Sequence, residues 1–197
     1  MNLRIEKKLF IKKENLLDFK NKLLSVGVQN LYKQRKVMSI YFDNFNKDIY
    51  NDSIEGLTPR KKIRVRSYPS NDDNFFLLEN KISSIEGRFK TSKKISKEYF
   101  DHIKSNGFFD KEYGVCKPIL NVGYDREYLI KDNVRITLDT NIFYNLYKNE
   151  KIKNDQDIVV ELKTSINENI DDLFEKFPFQ EIRFSKYCNG IDLLNLN

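Results

Sequence analysis

The chain has 197 residues and a formal net charge of +6, from 35 Lys and Arg against 29 Asp and Glu. A chain near this length buries roughly 70% of its unfolded surface, which is enough for one large core. The two cysteines lack metal-binding spacing and imply no disulfide framework. No apolar run reaches the ~20 residues of a membrane-spanning helix. We therefore expect a cytoplasmic protein without a transmembrane segment.

The basic balance has two sources. The chain contains no alanine and is rich in Lys, Asn and Ile, a bias that is typical of codon usage and raises the lysine content without any function. Arginine is the better indicator, because seven of the nine arginines fall in strand-like patterns or near Arg183. A concentrated positive charge indicates a nucleic acid, an anionic lipid or a phosphorylated molecule as the ligand.

The pattern of apolar residues predicts many strands and few helices. The first third of the chain is predicted to contain a strand over 3–11, a helix over 14–26, a strand over 36–43 and a short helix or loop over 44–53. Strands over 60–68, 75–82 and 88–96 follow, and then a helix over 96–106. The last part is predicted to contain strands over 119–130, 133–140 and 157–165, a helix over 167–177 and a strand over 181–187. Ser96 is a plausible helix cap, and Asp132-Asn133 is a strong turn signal.

Consecutive strands with short turns favour a mainly antiparallel sheet, and eight or nine strands are enough to close a barrel. No repeat or low-complexity linker divides the chain. The prediction is therefore one α+β domain over residues 1–197, built as a closed antiparallel β-barrel of about eight strands with flanking helices.

One predicted strand carries four cations on one face. Side chains two apart in a strand point the same way, and here they are Arg60, Lys62, Arg64 and Arg66. Similar alternation places a charged face on several other strands. If the charged faces converge, they line a cavity for a polyanion. The alternative is an open sheet whose charged face is solvated.

A cavity lined by arginine requires a ligand or water, since each unpaired buried charge costs several kcal/mol. The planar fork of arginine suits phosphate because it binds two oxygens at once. The inward carboxylates can pair with neighbouring cations, or hold a divalent metal between carboxylate and phosphate. These carboxylates are Glu6, Glu79, Asp139 and Glu161.

An ordered set of motifs spans nearly the whole chain. They are Arg4-x-Glu6-x-Lys8, Ser39-x-Tyr41-Phe42-Asp43, Arg60-x-Lys62-x-Arg64-x-Arg66-x-Tyr68, Glu79-x-Lys81, Tyr124-x-Arg126, Val134-Arg135-Ile136-Thr137-Leu138-Asp139, Glu161-x-Lys163 and Phe184-Ser185-Lys186-Tyr187. With them the chain resembles the VTC (vacuolar transporter chaperone) domain, the polyphosphate polymerase branch of the triphosphate tunnel metalloenzymes.

The resemblance implies a closed antiparallel barrel, the tunnel, and a set of residues for each role. The implied catalytic residues are Arg64, Arg66, Lys81, Arg126, Arg135 and Lys186. The implied substrate-binding residues are Lys8, Arg60, Lys62, Lys90, Ser185 and Tyr187. Glu161 is the implied ligand of Mn²⁺ or Mg²⁺. One departure is Ser92, which stands where the family usually has an arginine; Lys93 or Lys94 is a possible substitute.

The function implied is transfer of the ATP γ-phosphate to a growing polyphosphate chain, with ATP or triphosphate and polyphosphate as partners. A triphosphatase or polyphosphatase of the same fold is one alternative, although such enzymes typically begin with Glu-x-Glu-x-Lys and this chain has Arg4 at the first position. A non-catalytic module that binds polyphosphate or another phosphorylated ligand is the second alternative. Nucleic acid is not the expected partner.

Overall fold

A computed structural model of the chain describes residues 4–69, 75–165 and 181–194. The strands are β1 (Arg4–Lys12), β2 (Gln29–Asp43), β3 (Arg60–Ser67), β4 (Phe76–Ser84), β5 (Gly87–Ile95), β6 (Phe108–Asp110), β7 (Gly114–Lys131), β8 (Val134–Leu146), β9 (Lys153–Asn154) and β10 (Asp157–Ser165). The helices are α1 (Leu16–Ser25), α2 (Asp48–Glu55), α3 (Lys97–Asn106) and α4 (Lys186–Leu193). In the described ranges, none of these helices is long and apolar enough to cross a membrane.

The strands form a ten-stranded sheet in the order β1-β10-β8-β7-β2-β3-β4-β5, with β6 paired to β7 and β9 paired to β8. The registers are antiparallel. The predicted α+β class, the antiparallel sheet and its eight long strands are therefore confirmed. Within the described ranges no pairing joins β5 to β1, so closure of the barrel stays a prediction.

The chain divides into two compact units. Unit 1 comprises Met1–Lys36, Tyr124–Ile142 and Asn154–Phe184, and unit 2 comprises Val37–Gly123, Phe143–Lys153 and Ser185–Asn197. Because β2, β7 and β8 each contribute residues to both units, neither unit is a continuous segment of chain. The single domain over residues 1–197 stays a prediction.

Unit 1 is built on one apolar face shared by β1, β10 and β8. Leu9, Val160 and Leu138 from these strands are each at most 1% exposed. Helix α1 covers this face with Phe19 and Leu23, which lie one helical turn apart and are both buried. The period-two alternation of the strands therefore leaves their charged residues on the opposite face.

Unit 2 contains the β3-β4-β5 meander and three helices. Helix α3 begins at the predicted cap, where the Ser96 hydroxyl accepts a hydrogen bond from the Tyr99 amide. Its Phe100 ring stacks on Phe76 of β4, with 4.2 Å between the ring centroids. Ile63 and Val65 on the apolar face of β3 are also buried.

A buried carboxylate joins β2 to two helices of unit 2. Asp43 ends β2 and accepts hydrogen bonds from the amides of Ile49 and Tyr50, in the first turn of α2, at 3.1 and 3.0 Å. It also accepts the hydroxyl hydrogen of Tyr187 from α4. Burial raises the pKa of Asp43, and these hydrogen bonds offset part of the rise. Asp43 therefore fixes both helices to the end of the strand.

Strands β7 and β8 extend beyond their predicted bounds, and the short β6 and β9 were not predicted. Two further differences are larger. The predicted strand over 181–187 is wrong, because only Glu181 bridges to Leu9 and the helix α4 begins at Lys186. The Ser185 hydroxyl accepts a hydrogen bond from the Cys188 amide and so starts this helix. Strand β2 begins at Gln29 rather than at residue 36. The prediction missed its first half because those residues are mostly polar and exposed. The predicted helix over 167–177 lies outside the described residues.

Replacing Asp43 with Asn should lower the free energy of unfolding by about 2 kcal/mol, because an amide cannot replace all the hydrogen bonds that the carboxylate accepts. Chemical denaturation of the two proteins measures this difference. Glu55→Gln, at an exposed carboxylate in the last turn of α2, is the control and should leave stability nearly unchanged. Equal stability of Asp43→Asn and the parent would show that the hydrogen bonds to the Asp43 carboxylate do not stabilise the fold.

Candidate functional site

Unit 2 carries a strongly cationic sheet face across β3, β4 and β5. The register places Lys62 beside Lys81 and Lys81 beside Lys90, so three lysines form one row across three strands. The next row consists of Arg64, Glu79 and Ser92. Because cross-strand neighbours share a face, this part of the sheet gathers the cations predicted to bind phosphate.

Glu79 is the anion of this face. It is 2% exposed, and its Oε2 lies 2.8 Å from Arg64 Nε and 3.7 Å from Arg66 Nη1. The Lys90 ammonium contacts its other oxygen. Burial alone would raise the pKa of Glu79, but these three cations lower it to about 2. The carboxylate is therefore ionised at neutral pH and reduces the repulsion between its neighbours.

Arg64 is oriented by a second contact. Its Nη1 donates a hydrogen bond of 2.8 Å to the Tyr41 hydroxyl. The Tyr41 ring stacks on Tyr187, with the centroids 5.2 Å apart and the planes at 16°. Since the Tyr187 hydroxyl donates to Asp43, a buried side-chain network holds the Arg64 guanidinium in place. Tyr187 itself is 1% exposed and is packed inside unit 2.

Lys62 lies in the most positive part of the face. Its ammonium donates a hydrogen bond of 2.8 Å to the hydroxyl of Ser185, the residue that caps α4. Burial, together with the nearby charges of Lys81, Arg60 and Arg64, lowers the pKa of Lys62 to about 8. Lys62 therefore has an environment in which an added anion would be stabilising.

The unusual Ser92 lies directly opposite Glu79 on β5 and is exposed. Lys90 is two residues earlier on the same face and supplies a cationic contact to Glu79. Lys93 pairs in register with Leu78, so its side chain points to the opposite face. Lys94 shares the face of Ser92, but its ammonium lies 5.3 Å from the centroid of the Phe75 ring. The lysine of β5 that contacts Glu79 is Lys90.

Unit 1 carries a polar face of different charge balance. Arg126 on β7 makes two hydrogen bonds to Asp139 on β8, from Nε to Oδ1 at 2.6 Å and from Nη2 to Oδ2 at 2.7 Å. Burial would lower the pKa of Arg126, but the carboxylate raises it well above its usual value. Asp139 is 1% exposed. The pair fixes the position of the guanidinium beside β10.

Glu161 on β10 is the predicted metal ligand and is 8% exposed. In register it lies between Lys8 and Thr137, and Lys163 Nζ approaches its Oε2 at 3.2 Å. Burial alone would raise its pKa, but a hydrogen bond with Glu6 and the nearby cations lower it well below its usual value. Glu161 therefore carries an ionised carboxylate at neutral pH, and its role as a metal ligand stays a prediction.

Glu161 and Glu6 form a donor set that suits a hard divalent cation. Magnesium and manganese are commonly held by one or two protein carboxylates, with the other positions filled by water and substrate phosphates. Among the described residues no three His, Cys, Asp or Glu side chains cluster as an all-protein metal cage. The residues fit a metal that is shared with a phosphate ligand.

The remaining predicted residues have varied surroundings. Lys8 Nζ donates a hydrogen bond of 2.8 Å to the Phe184 carbonyl. Arg135 is exposed at one end of the polar face, opposite Lys163. Arg60 Nη1 donates to the Leu57 carbonyl at 3.0 Å. Lys186 is half-buried in the first turn of α4. All these roles in binding and catalysis stay predictions.

Tyr41 and Asp43, which support Arg64, were not among the residues predicted for the site. Both belong to the Ser39-x-Tyr41-Phe42-Asp43 motif, and their spacing of two residues on β2 placed them on one face. That spacing was the available signal. The contact to Tyr187 joins residues 144 positions apart along the chain, so no local pattern reveals it.

Comparisons with known proteins bear on the family and the fold. The sequence profile of the VTC domain family matches residues 3–195. No curated protein matches the chain. The fold is similar to that of a proposed adenylate cyclase from Bacillus halodurans, with a TM-score of 0.62, 14% identity and coverage of 97% of this chain and 96% of that chain.

Two further solved structures have the same likeness in fold. A proposed adenylate cyclase from Vibrio parahaemolyticus has a TM-score of 0.59 and 13% identity, with 98% of each chain covered. A proposed adenylyl cyclase from Hippeastrum, described as having a dominant triphosphatase activity, has a TM-score of 0.60 and 13% identity, with 98% of this chain and 96% of that chain covered. At these identities the likeness concerns the fold.

Replacing Glu79 with Gln should lower the free energy of unfolding at pH 7 by about 3 kcal/mol, because Arg64, Arg66 and Lys90 lose their anion. The pKa of Glu79 is lowered from 4.5 to about 2, so its ionised form stabilises the fold above pH 4.5. That stabilisation is lost as the pH falls towards 2, and the difference between the two proteins should shrink over this window.

Chemical denaturation at a series of pH values measures this difference. Glu86→Gln, at an exposed position in the turn between β4 and β5, is the matched control. It should show little change at any pH. A difference between Glu79→Gln and the parent that stays constant between pH 4.5 and 2 would contradict the role of Glu79 as the anion of this face.

Proposed function

This chain belongs to the VTC domain family, and from that premise we propose that it is a metal-dependent phosphotransferase that extends polyphosphate with the γ-phosphate of ATP. The observation that carries the proposal is the cationic face of unit 2, where lysine and arginine side chains on β3, β4 and β5 surround a single buried carboxylate. Such a face is typical of a binding surface for linked phosphates.

In the proposed reaction, a terminal phosphate oxygen of the acceptor chain attacks the γ-phosphorus of ATP. The bond from that phosphorus to the β–γ bridging oxygen breaks, and ADP leaves with the electron pair. The acceptor supplies its own anionic nucleophile, so no side chain has to form a covalent intermediate. The task of the protein is to align the two phosphates and neutralise their charge.

We assign these tasks to particular side chains. Arg64 and Arg66 are held by Glu79, so their donors are ordered before a phosphate binds. Lys81 and Lys62 contribute point charges from neighbouring strands. In unit 1, Arg135 is an exposed cation that can bind a phosphate without breaking the Arg126–Asp139 pair.

The proposal includes a closed barrel around the phosphates, as the resemblance implies. Glu161, with Glu6 beside it, would hold Mn²⁺ or Mg²⁺. When bound, the ion would neutralise charge that develops on the phosphate oxygens. We also propose a cytoplasmic location, in keeping with Cys116 and Cys188, which are both free and buried thiols.

A triphosphatase is the second candidate, because the Hippeastrum protein of similar fold is described as a triphosphatase. In that reaction water takes the place of the acceptor phosphate, and orthophosphate is the product. The same cations would hold the triphosphate in both reactions. The two candidates therefore differ in the acceptor, and product analysis separates them.

Incubation with ATP and Mn²⁺ should give a ladder of polyphosphate on a stained gel, with ADP released in matching amount. Lys81→Met in unit 2 and Arg135→Ala in unit 1 should each lower the rate by about 100-fold, since each removes a donor to the transferring phosphates. Lys93→Met is the control on the opposite face of β5 and should retain the rate.

The outcomes separate the candidates. Orthophosphate without a ladder would overturn the polymerase in favour of the hydrolase. Tight binding of triphosphate without either product would leave a binding module. A ladder that persists at the parent rate in both Lys81→Met and Arg135→Ala would refute the assignment of these cations while leaving the activity itself in place.

Triphosphate binding should take up protons near pH 8. Lys62 has a pKa of about 8, so it is about half neutral at that pH, and a bound anion raises its pKa and completes its protonation. Calorimetric titrations with tripolyphosphate in two buffers of different ionisation enthalpy measure the uptake. Lys62→Met should abolish the difference between buffers, and Lys93→Met should keep it. Equal heats in both buffers for the parent would contradict the prediction.

A further inference from the structure

An aromatic and arginine cluster in unit 1 lies outside the residues assigned so far. The Tyr32 and Tyr128 rings meet edge to face, with 5.8 Å between their centroids and 77° between their planes. The guanidinium carbon of Arg35 lies 5.8 Å from the centroid of each ring. Cation–π contacts at this distance hold the guanidinium against both tyrosines.

The Arg35 guanidinium makes no hydrogen bond or ion pair with any residue in the described ranges. It is half-buried, and among the described residues its contacts are with the two tyrosine rings. An arginine that packs on aromatic rings can still present its planar set of N–H donors to another group. Such a group is suited to binding the oxygens of a phosphate.

Tyr32 is the exposed member of the cluster, at 54%. A large aromatic ring that is ordered by its neighbours and open on its remaining surface is a stacking platform. Along β2, Asn30 and Gln34 lie two residues on either side of Tyr32 and therefore share its face. They line a surface depression together with Tyr32 and Glu127.

The chemistry of this depression matches a purine base. An aromatic ring binds the face of any base, and the side-chain amides of Asn and Gln pair with the N6 and N7 edge of adenine. Each of these features is common on protein surfaces. Their combination with an arginine that lacks a polar partner on the described chain indicates a ligand with both a base and a phosphate.

The cluster adjoins the polar face of unit 1. Tyr128 is two residues from Arg126 on β7, and strand side chains with this spacing share a face about 7 Å apart. The Arg126 guanidinium also packs on Tyr124, which precedes it by two residues. A nucleotide whose base lies on Tyr32 would therefore extend its phosphates along the row of side chains that contains Arg126.

We propose that Tyr32, Arg35 and Tyr128 form a nucleotide-binding platform, in which Tyr32 stacks on the adenine of ATP and Arg35 binds the phosphate nearest the ribose. The inference rests on the proposed function for the identity of the nucleotide. It adds the means by which the protein distinguishes ATP, the donor, from polyphosphate, the acceptor and product. Polyphosphate has no base and therefore gains nothing from stacking on Tyr32.

The test compares two probes that share a triphosphate and differ in the base. Calorimetry measures the affinities of the β,γ-imido analogue of ATP and of inorganic tripolyphosphate for the full chain. Tyr32→Ala should weaken binding of the ATP analogue about tenfold, the usual effect of removing a stacked aromatic ring. It should change the affinity for tripolyphosphate by less than twofold.

Matched variants separate stacking from other effects. Tyr32→Phe keeps the ring and should bind the ATP analogue as the parent does. Arg35→Gln should also weaken binding of the analogue while the melting temperature stays unchanged. Tyr99→Ala removes another exposed tyrosine, at 45%, on α3 in unit 2, and should leave both affinities unchanged.

The inference fails if Tyr32→Ala leaves the affinity for the ATP analogue unchanged, or lowers both affinities equally. It also fails if the parent binds the analogue no more tightly than tripolyphosphate. These results are independent of the polyphosphate ladder. A base-dependent affinity without a polyphosphate ladder would contradict the polymerase and support the platform. A ladder without base-dependent affinity would support the polymerase and contradict the platform.

Discussion

Repulsion between like charges is the constraint that the cationic face depends on. Four cations on one face of β3, with further lysines on β4 and β5, destabilise the sheet unless an anion lies among them. Glu79 supplies that anion inside unit 2 and reaches two arginines and one lysine. The cations still outnumber it. The face is therefore stable enough to fold and remains strongly attractive to a polyanion, which is the property that a phosphate-binding surface needs.

The two units differ in how carboxylates balance the positive charges. In unit 1, Asp139 pairs with Arg126 through two hydrogen bonds. Glu161 lies close to Glu6, Lys8 and Lys163. The polar face of unit 1 is therefore nearly balanced in charge and rich in carboxylate oxygens. A balanced face with ionised carboxylates suits a metal that brings its own positive charge. The excess of cations in unit 2 suits the phosphates themselves. The two polar faces differ in charge because their strands carry different numbers of carboxylate side chains.

Most of the fold and the placement of the charged residues could be predicted from period-two alternation, because each strand has one apolar and one charged face. The strand pairs β4-β5 and β7-β8 follow from their turn residues. The first half of β2 could not be predicted, since it has no apolar stripe. The end of the chain was misjudged because Phe184 and Tyr187 resemble strand residues, whereas the Ser185 cap and the contact of Tyr187 with Asp43 favour a helix. Such distant contacts are invisible to local patterns.

Arg35 could not be predicted as a site residue from rows of charged side chains. It is one of the two arginines, with Arg88, that lie outside the strand-like patterns of the sequence. In the structure it is the arginine held by two tyrosine rings, and one of those rings comes from β7, more than 90 residues later in the sequence. A row of charges on one strand identifies a surface that binds many phosphates alike. Discrimination between phosphate ligands requires a contact that some of them lack, and such contacts arise where strands that are distant in sequence bring different side chains together.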